Sequence, residues 1–173
     1  MNRRAFMAGL AYCFAAIVFK LIILLGGYTS TKFGFYYSHI VSVLLIVPFF
    51  WIAIKQVRDK EQDGIIGGRE AARIALTVLA VAIVVMTVYN YAEFAFKGKD
   101  LAIEYYHSDK YRAELEKMQA RYPDKIKTGN FPKIIDEQIS SLSPFKATTG
   151  KIFPLLFVGL CSAFIVSAAM KRK

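Results

Sequence analysis

The chain has 173 residues, of which 55% are hydrophobic and 21% charged, with a formal net charge of +10. A mean hydropathy of +0.38 is too apolar for an ordinary soluble domain of this size. In a soluble protein the basic excess would point to nucleic acid; in a chain this apolar it points instead to the inner face of a membrane.

The first element is "AFMAGLAYCFAAIVFKLIILL", residues 5–25. Its length matches the roughly 20 residues a helix needs to cross a hydrocarbon core. It follows "MNRR", but no Ala-x-Ala processing site comes before "GGYTSTKFGFYY", so it is expected to remain a span and not a cleaved signal. The second is "YYSHIVSVLLIVPFFWIAI", residues 36–54, where Pro48 is expected to disturb the helix and leave a carbonyl without its donor. Two further runs occupy residues 74–96 and 152–170; Pro154, near the start of the last, is expected to be harmless. Backbone groups in lipid must be satisfied within the segment, so runs of this length are helices.

Between the second and third runs lies "DKEQDGIIGGREAARIAL", residues 59–76. Gly64, Gly67 and Gly68 fit neither glycine-rich nucleotide fingerprint, and no strand precedes them. The stretch reads as a turn in which glycines let the chain reverse. "REAARIA" then restarts a helix with small residues suited to close packing. Arg69 and Arg73, one turn apart, are candidates to face anionic lipid or a partner, although simple orientation signals explain them as well. Arg3, Arg4, Lys55, Arg58, Lys60, Arg69, Arg73 and the terminal Lys171, Arg172 and Lys173 cluster around this turn and the two ends of the chain. The positive-inside rule therefore places both termini in the cytoplasm and residues 97–151 outside.

Three stretches carry a resemblance: "GGREAARIALTV", "SLSPFKATTGKIFPLLFVGL" and the terminal "MKRK". Together they are similar to a four-span membrane family of Bacteroidetes catalogued as domain of unknown function 4199. The resemblance implies four spans, a polar extracytoplasmic segment before the last, and an inner-membrane setting. It lends no catalytic residue and no cofactor. By association of gene neighbourhood it implies a membrane glycosyltransferase of the dolichol-phosphate type as a partner.

In the outer segment, "DLAIEYYHSDKYRAELEKMQARYPDK" reads as one amphipathic helix with Leu101, Tyr105, Tyr111, Leu115, Met118 and Tyr122 along a stripe, ended by Pro123. A shorter helix follows, with Asn130 as its cap, Pro132 in its first turn and Ile134, Ile135, Ile139 and Leu142 on its apolar side. The expected segment is a helical hairpin. Tyr105, Tyr111, Leu115, Met118 and Tyr122, with Arg69 and Arg73, are its candidate partner or lipid surface.

Polar residues at membrane depth are few. Lys20 lies about five residues from the end of its run, roughly 7–8 Å at helical rise. His39, Asn90 and Glu93 fall at a similar level, so a Lys20–Glu93 pair with His39 and Asn90 nearby is one reading and independent snorkelling the other. Cys13 and Cys161 sit inside apolar runs and read as buried small hydrophobes. No metal spacing, nucleophile–base arrangement or acid–base dyad emerges.

The expected fold is therefore all-α, a four-helix integral membrane bundle with an extracytoplasmic helical hairpin between helices three and four, in a single polytopic domain. The expected function is that of a non-enzymatic accessory or structural subunit binding another membrane protein or lipid, as a possible homo-oligomer, with no cofactor and no nucleic acid. The alternative is a small oligomeric transporter or lipid-carrier module using the Lys20/Glu93 region.

Overall fold

The structure is a computed structural model that describes residues 2–28, 33–123 and 128–170. The chain is 89% helical and has no strand among these residues. The eight helices are α1 (Arg3–Leu25), α2 (Ser38–Leu44), α3 (Ile46–Glu61), α4 (Gly68–Glu93), α5 (Lys99–Tyr106), α6 (Asp109–Arg121), α7 (Phe131–Ser140) and α8 (Pro144–Met170). Four helical stretches are long and apolar enough to cross a membrane: Arg3–Leu25, Ser38–Glu61, Gly68–Tyr106 and Pro144–Met170. Contacts divide the chain into two compact units, one of residues 1–90 and 149–173 and the other of residues 91–148.

Each helix reaches beyond its apolar run, because capping and not hydropathy sets where helical hydrogen bonding starts and stops. α1 begins at Arg3 because the Asn2 side chain accepts from the backbone N–H of Arg4 and Ala5. It ends where Gly26 donates back to Ile22 and Gly27 turns into the left-handed region at φ +70°. α8 starts at Pro144, whose missing N–H costs nothing in a first turn, and Ser143 Oγ caps it by accepting from Lys146 N–H. Pro154 consequently lies well inside a helix and not near its start.

The second span is broken as its proline requires. The helix is interrupted at Leu45, between α2 and α3, although Leu45 N–H still bonds to the Val41 carbonyl, and Pro48 sits in the first turn of α3. Its ring has no N–H to give the Leu44 carbonyl one turn back. At the turn before α4, Gly64 (φ +84°) and Asp63 (φ +48°) both adopt left-handed backbone, and Gly64 N–H closes onto the Arg58 carbonyl. The reversal therefore rests on Gly64. Gly67 accepts from Ala71 N–H at the start of α4, and Gly68 is that helix's first residue. Ile66, 1% exposed, pins the turn to the core.

The core of the first unit is lined by small residues. α1 buries Ala5, Ala8, Gly9, Tyr12, Cys13 and Ala16 along one face. α4 buries Ala71, Ala75, Val78 and Ala82, and Ile46, Phe50, Ile54 and Val57 of α3 fill the space beside them. Between lipid-embedded helices the hydrophobic effect gives no net drive, so attraction comes from close van der Waals contact, which small residues permit. Cys13 belongs to this core, whereas Cys161 faces outward from α8, against the expectation that both are buried.

The second unit has its own interior. The expected single long helix is in fact two. Ser108 breaks it: its Oγ donates to the Tyr105 carbonyl and accepts from Tyr111 N–H, ending α5 and capping α6. Tyr105, Tyr106 and Tyr111 pack their rings edge to face or tilted at centroid distances of 4.9–6.0 Å. Tyr105 also donates its hydroxyl to Glu114. α6 stops at Arg121 before Pro123, as expected. Asn130 sits at the head of α7, but its side chain makes no capping bond there; Pro132 occupies the first turn.

α1 and α4 approach closely at Gly9. A Cβ there would lie 2.8 Å from Val81 Cβ and 3.1 Å from the Val78 carbonyl, neither of which can swing aside. Gly9→Ala is expected to lower the thermal midpoint in detergent, through overpacking that costs about 1–3 kcal/mol. Helix propensity alone favours alanine by about 1 kcal/mol, so a raised midpoint would show that α1 and α4 separate freely.

Candidate functional site

The buried face of α1 continues past Ala16 to Lys20, one turn on, and that of α4 runs through Met86 to Asn90. Lys20 is thereby carried to the inside of the unit and not to its lipid-facing side; it is 8% exposed. Its ammonium donates to Asn90 Oδ1 at 2.6 Å and lies 5.3 Å from the centroid of the Tyr89 ring. A carboxamide oxygen is a strong acceptor for an ammonium, and the ring face is electron-rich. An ammonium at this depth without such partners would cost several kcal/mol, about the scale set by membrane insertion of lysine.

Tyr12, two turns before Lys20 on the same face, donates its hydroxyl to the Ser42 carbonyl at 3.1 Å. Ser42 Oγ in turn donates to the Ser38 carbonyl, and Ser38 Oγ to that of Gly34. A small cavity lies among these groups, lined by Tyr12, Lys20, His39, Ser42 and Asn90, with Lys151 from α8 and apolar Val43, Met86 and Leu155. The space open to a water molecule's centre is about 10 Å³, room for roughly one water. Among the described residues no three histidine, cysteine or carboxylate side chains gather.

Of the four expected members of the polar cluster, Lys20, His39 and Asn90 come together at this cavity. Glu93, half-buried, falls in the second unit. Sequence reading missed Tyr12, Ser42 and Lys151. Tyr12 was within reach, being eight residues from Lys20 and so on the same helical face. Lys151 was hidden because hydropathy assigned it to a loop, although it lies two turns into a longer α8.

The expected docking stripe is only partly a surface. Tyr105, Tyr111 and Leu115 are buried, at 2%, 6% and 1% exposure, because they form the interior of their own unit. Met118 and Tyr122 remain exposed. Arg69 and Arg73 are exposed on the first turns of α4, Arg73 reaching Glu70 at 3.3 Å.

Removing one partner from the Lys20–Asn90 bond leaves the other stranded, whereas removing both does not. Asn90→Leu is expected to destabilise the protein by about 1–3 kcal/mol, and Lys20→Met in the same chain should recover most of that loss. A double-mutant cycle on thermal stability in detergent reads the coupling. A value of about 1 kcal/mol or more fits the observed bond; strict additivity would mean that Lys20 draws nothing from Asn90.

Comparison with known proteins gives a family and no activity. No curated protein and no solved structure matches the chain. One family model does, that of the proteins of unknown function termed DUF4199, and it matches residues 4–172. It thus takes in all four long helices and the unit between the last two, and the chain belongs to the DUF4199 family.

Proposed function

We propose that this multi-pass membrane protein is a non-catalytic accessory subunit of the bacterial cytoplasmic membrane, with both termini in the cytoplasm and its second unit on the outer side, where it binds another membrane protein. The orientation draws on the basic residues gathered at the start of α1 and around the α3–α4 turn. The observation that carries the binding role is the second unit itself. It has a packed interior built on Tyr105, Tyr111, Leu115 and Phe131, more than a tether between spans needs, and it exposes Met118 in the last turn of α6 and Tyr122 just past its end.

The alternative, a small oligomeric carrier, draws on the buried Lys20. The cavity beside that lysine holds about one water, so a carrier built on it must open a path through packed side chains. Accessory binding asks for no such rearrangement and is the reading adopted.

The test is affinity purification of the tagged full-length protein from its native membrane in mild detergent, followed by mass spectrometry. A stoichiometric membrane-protein partner is expected with the unaltered chain and lost with Met118→Asp combined with Tyr122→Asp. Both residues are exposed, so circular dichroism and the thermal midpoint should stay unchanged. Recovery of a homo-oligomer alone, or a partner indifferent to both changes, would overturn the proposal. Lys20→Ala that preserves assembly but abolishes solute flux in reconstituted vesicles would favour the carrier.

A further inference from the structure

We propose that the cleft between the start of α1 and the end of α3 binds one anionic phospholipid, with the lipid phosphate at Arg3 and an acyl chain along Met7, Leu10 and Phe14. The inference does not depend on the accessory role.

The cleft has a volume of about 360 Å³ and is lined by Arg3, Arg4, Met7, Gln56 and Glu61, within the usual range for small-molecule sites. Its depth is fixed by one carboxylate. Glu61 accepts from Arg4 Nε on one oxygen and from Asn2 Nδ2 on the other, so the beginning of α1 and the end of α3 lie at one level. Met7 is three residues further along α1 than Arg4, and Gln56 five residues back from Glu61. At helical rise these are about 4.5 and 7.5 Å deeper. The cleft thus passes from guanidinium groups at its mouth to a carboxamide and a thioether below.

Charge at the mouth is left uneven. Glu61 is taken by Arg4 and Asn2, Asp59 pairs with Arg58, and Glu70 with Arg73. Arg3 makes no ion pair or hydrogen bond to another side chain among the described residues, and it is exposed at the cleft. Guanidinium is the side chain best suited to phosphate oxygens, which it meets with paired N–H donors.

Apolar surface continues directly below it. Arg3, Met7, Leu10 and Phe14 are spaced four, three and four residues apart, which puts them on one face of α1. Met7, Leu10 and Phe14 are all exposed, Phe14 at 71%. On α3, Ile52 is exposed one turn below Gln56, on the same face. A cation at the interface above a continuous apolar stripe matches the order of parts in a phospholipid. Free phosphate would use only the top of the cleft, and a zwitterionic lipid would leave the Arg3 charge opposed by its own cation.

The full-length protein in non-ionic detergent is titrated with phosphatidylglycerol, with phosphatidylcholine and inorganic phosphate as separate arms. Native mass spectrometry counts bound lipid, and thermal melts report stabilisation. One saturable phosphatidylglycerol is expected, bound more tightly than phosphatidylcholine, with no stabilisation by phosphate alone. Arg3→Gln should weaken it about tenfold, as for the loss of one charge-assisted contact. Met7→Trp, which fills the cleft without changing charge, should weaken it similarly, and Leu10→Trp replaces that variant if it fails to fold. Arg73→Gln, at the same end but outside the cleft, should leave binding unchanged. Equal loss in Arg73→Gln and Arg3→Gln would reduce the effect to general surface charge. Equal binding of both lipids, stabilisation by phosphate alone, or indifference to both tryptophan variants would each overturn the site.

Discussion

Close approach between helices, set by small side chains, is the constraint on which the first unit depends. In a hydrocarbon solvent an apolar helix gains little by exchanging lipid for another apolar helix, so stability must come from contact at short range. Gly9 against Val81 is one such close contact, and Gly159 against Leu79 is another. The alanines of α1 and α4 extend it along both helices, and the larger side chains of α3 occupy the volume beside them. The same spacing decides which residues face inward. Once Ala8, Tyr12 and Ala16 define the buried face of α1, Lys20 follows by periodicity, and the protein must accommodate an ammonium where a neutral side chain would cost less.

That accommodation is local. Asn90 arrives from α4 on that helix's own buried face and offers an acceptor, and the neighbouring Tyr89 supplies a ring. A pair of this kind contributes little net stability compared with two well-packed apolar residues, but it penalises any register in which lysine and asparagine fail to meet. The Lys20–Asn90 bond is thus a device that fixes how α1 slides against α4, alongside the Tyr12–Ser42 bond that ties α1 to α2.

The sequence carried the number and helical nature of the spans because both follow from a single quantity, the length of each apolar run. It did not carry helix ends. Asn2, Ser143 and Gly64 act through individual hydrogen bonds or backbone angles that hydropathy does not register, and α8 therefore begins eight residues earlier than its apolar run. The division of the outer segment at Ser108 had a visible signal, a serine followed by an aspartate at the start of a charged stretch, outweighed by a stripe that runs on through the break. The stripe itself misled about exposure. Spacing identifies residues on one face, but it cannot say whether that face is covered, and Tyr105, Tyr111 and Leu115 are covered by their own unit. The polar cluster was partly legible, since Lys20, His39 and Asn90 share a level. Tyr12 and Lys151 required knowing how the helices are rotated and where α8 starts.

The distribution of polar groups along the first unit bears on what the protein does. They gather at two ends: Asn2, Arg3, Arg4 and Glu61 at one, and Tyr12, Lys20, His39, Ser42 and Asn90 toward the other. The stretch between is filled by Ala8, Phe50, Ile54, Val78 and Ala82. A solute path needs hydrating groups at successive depths, because each desolvated step raises the barrier to passage. A bundle with an apolar middle and chemically distinct ends lacks those successive groups. Lys20, held near one of those ends by Asn90 and Tyr89, instead penalises any other register of α1 against α4.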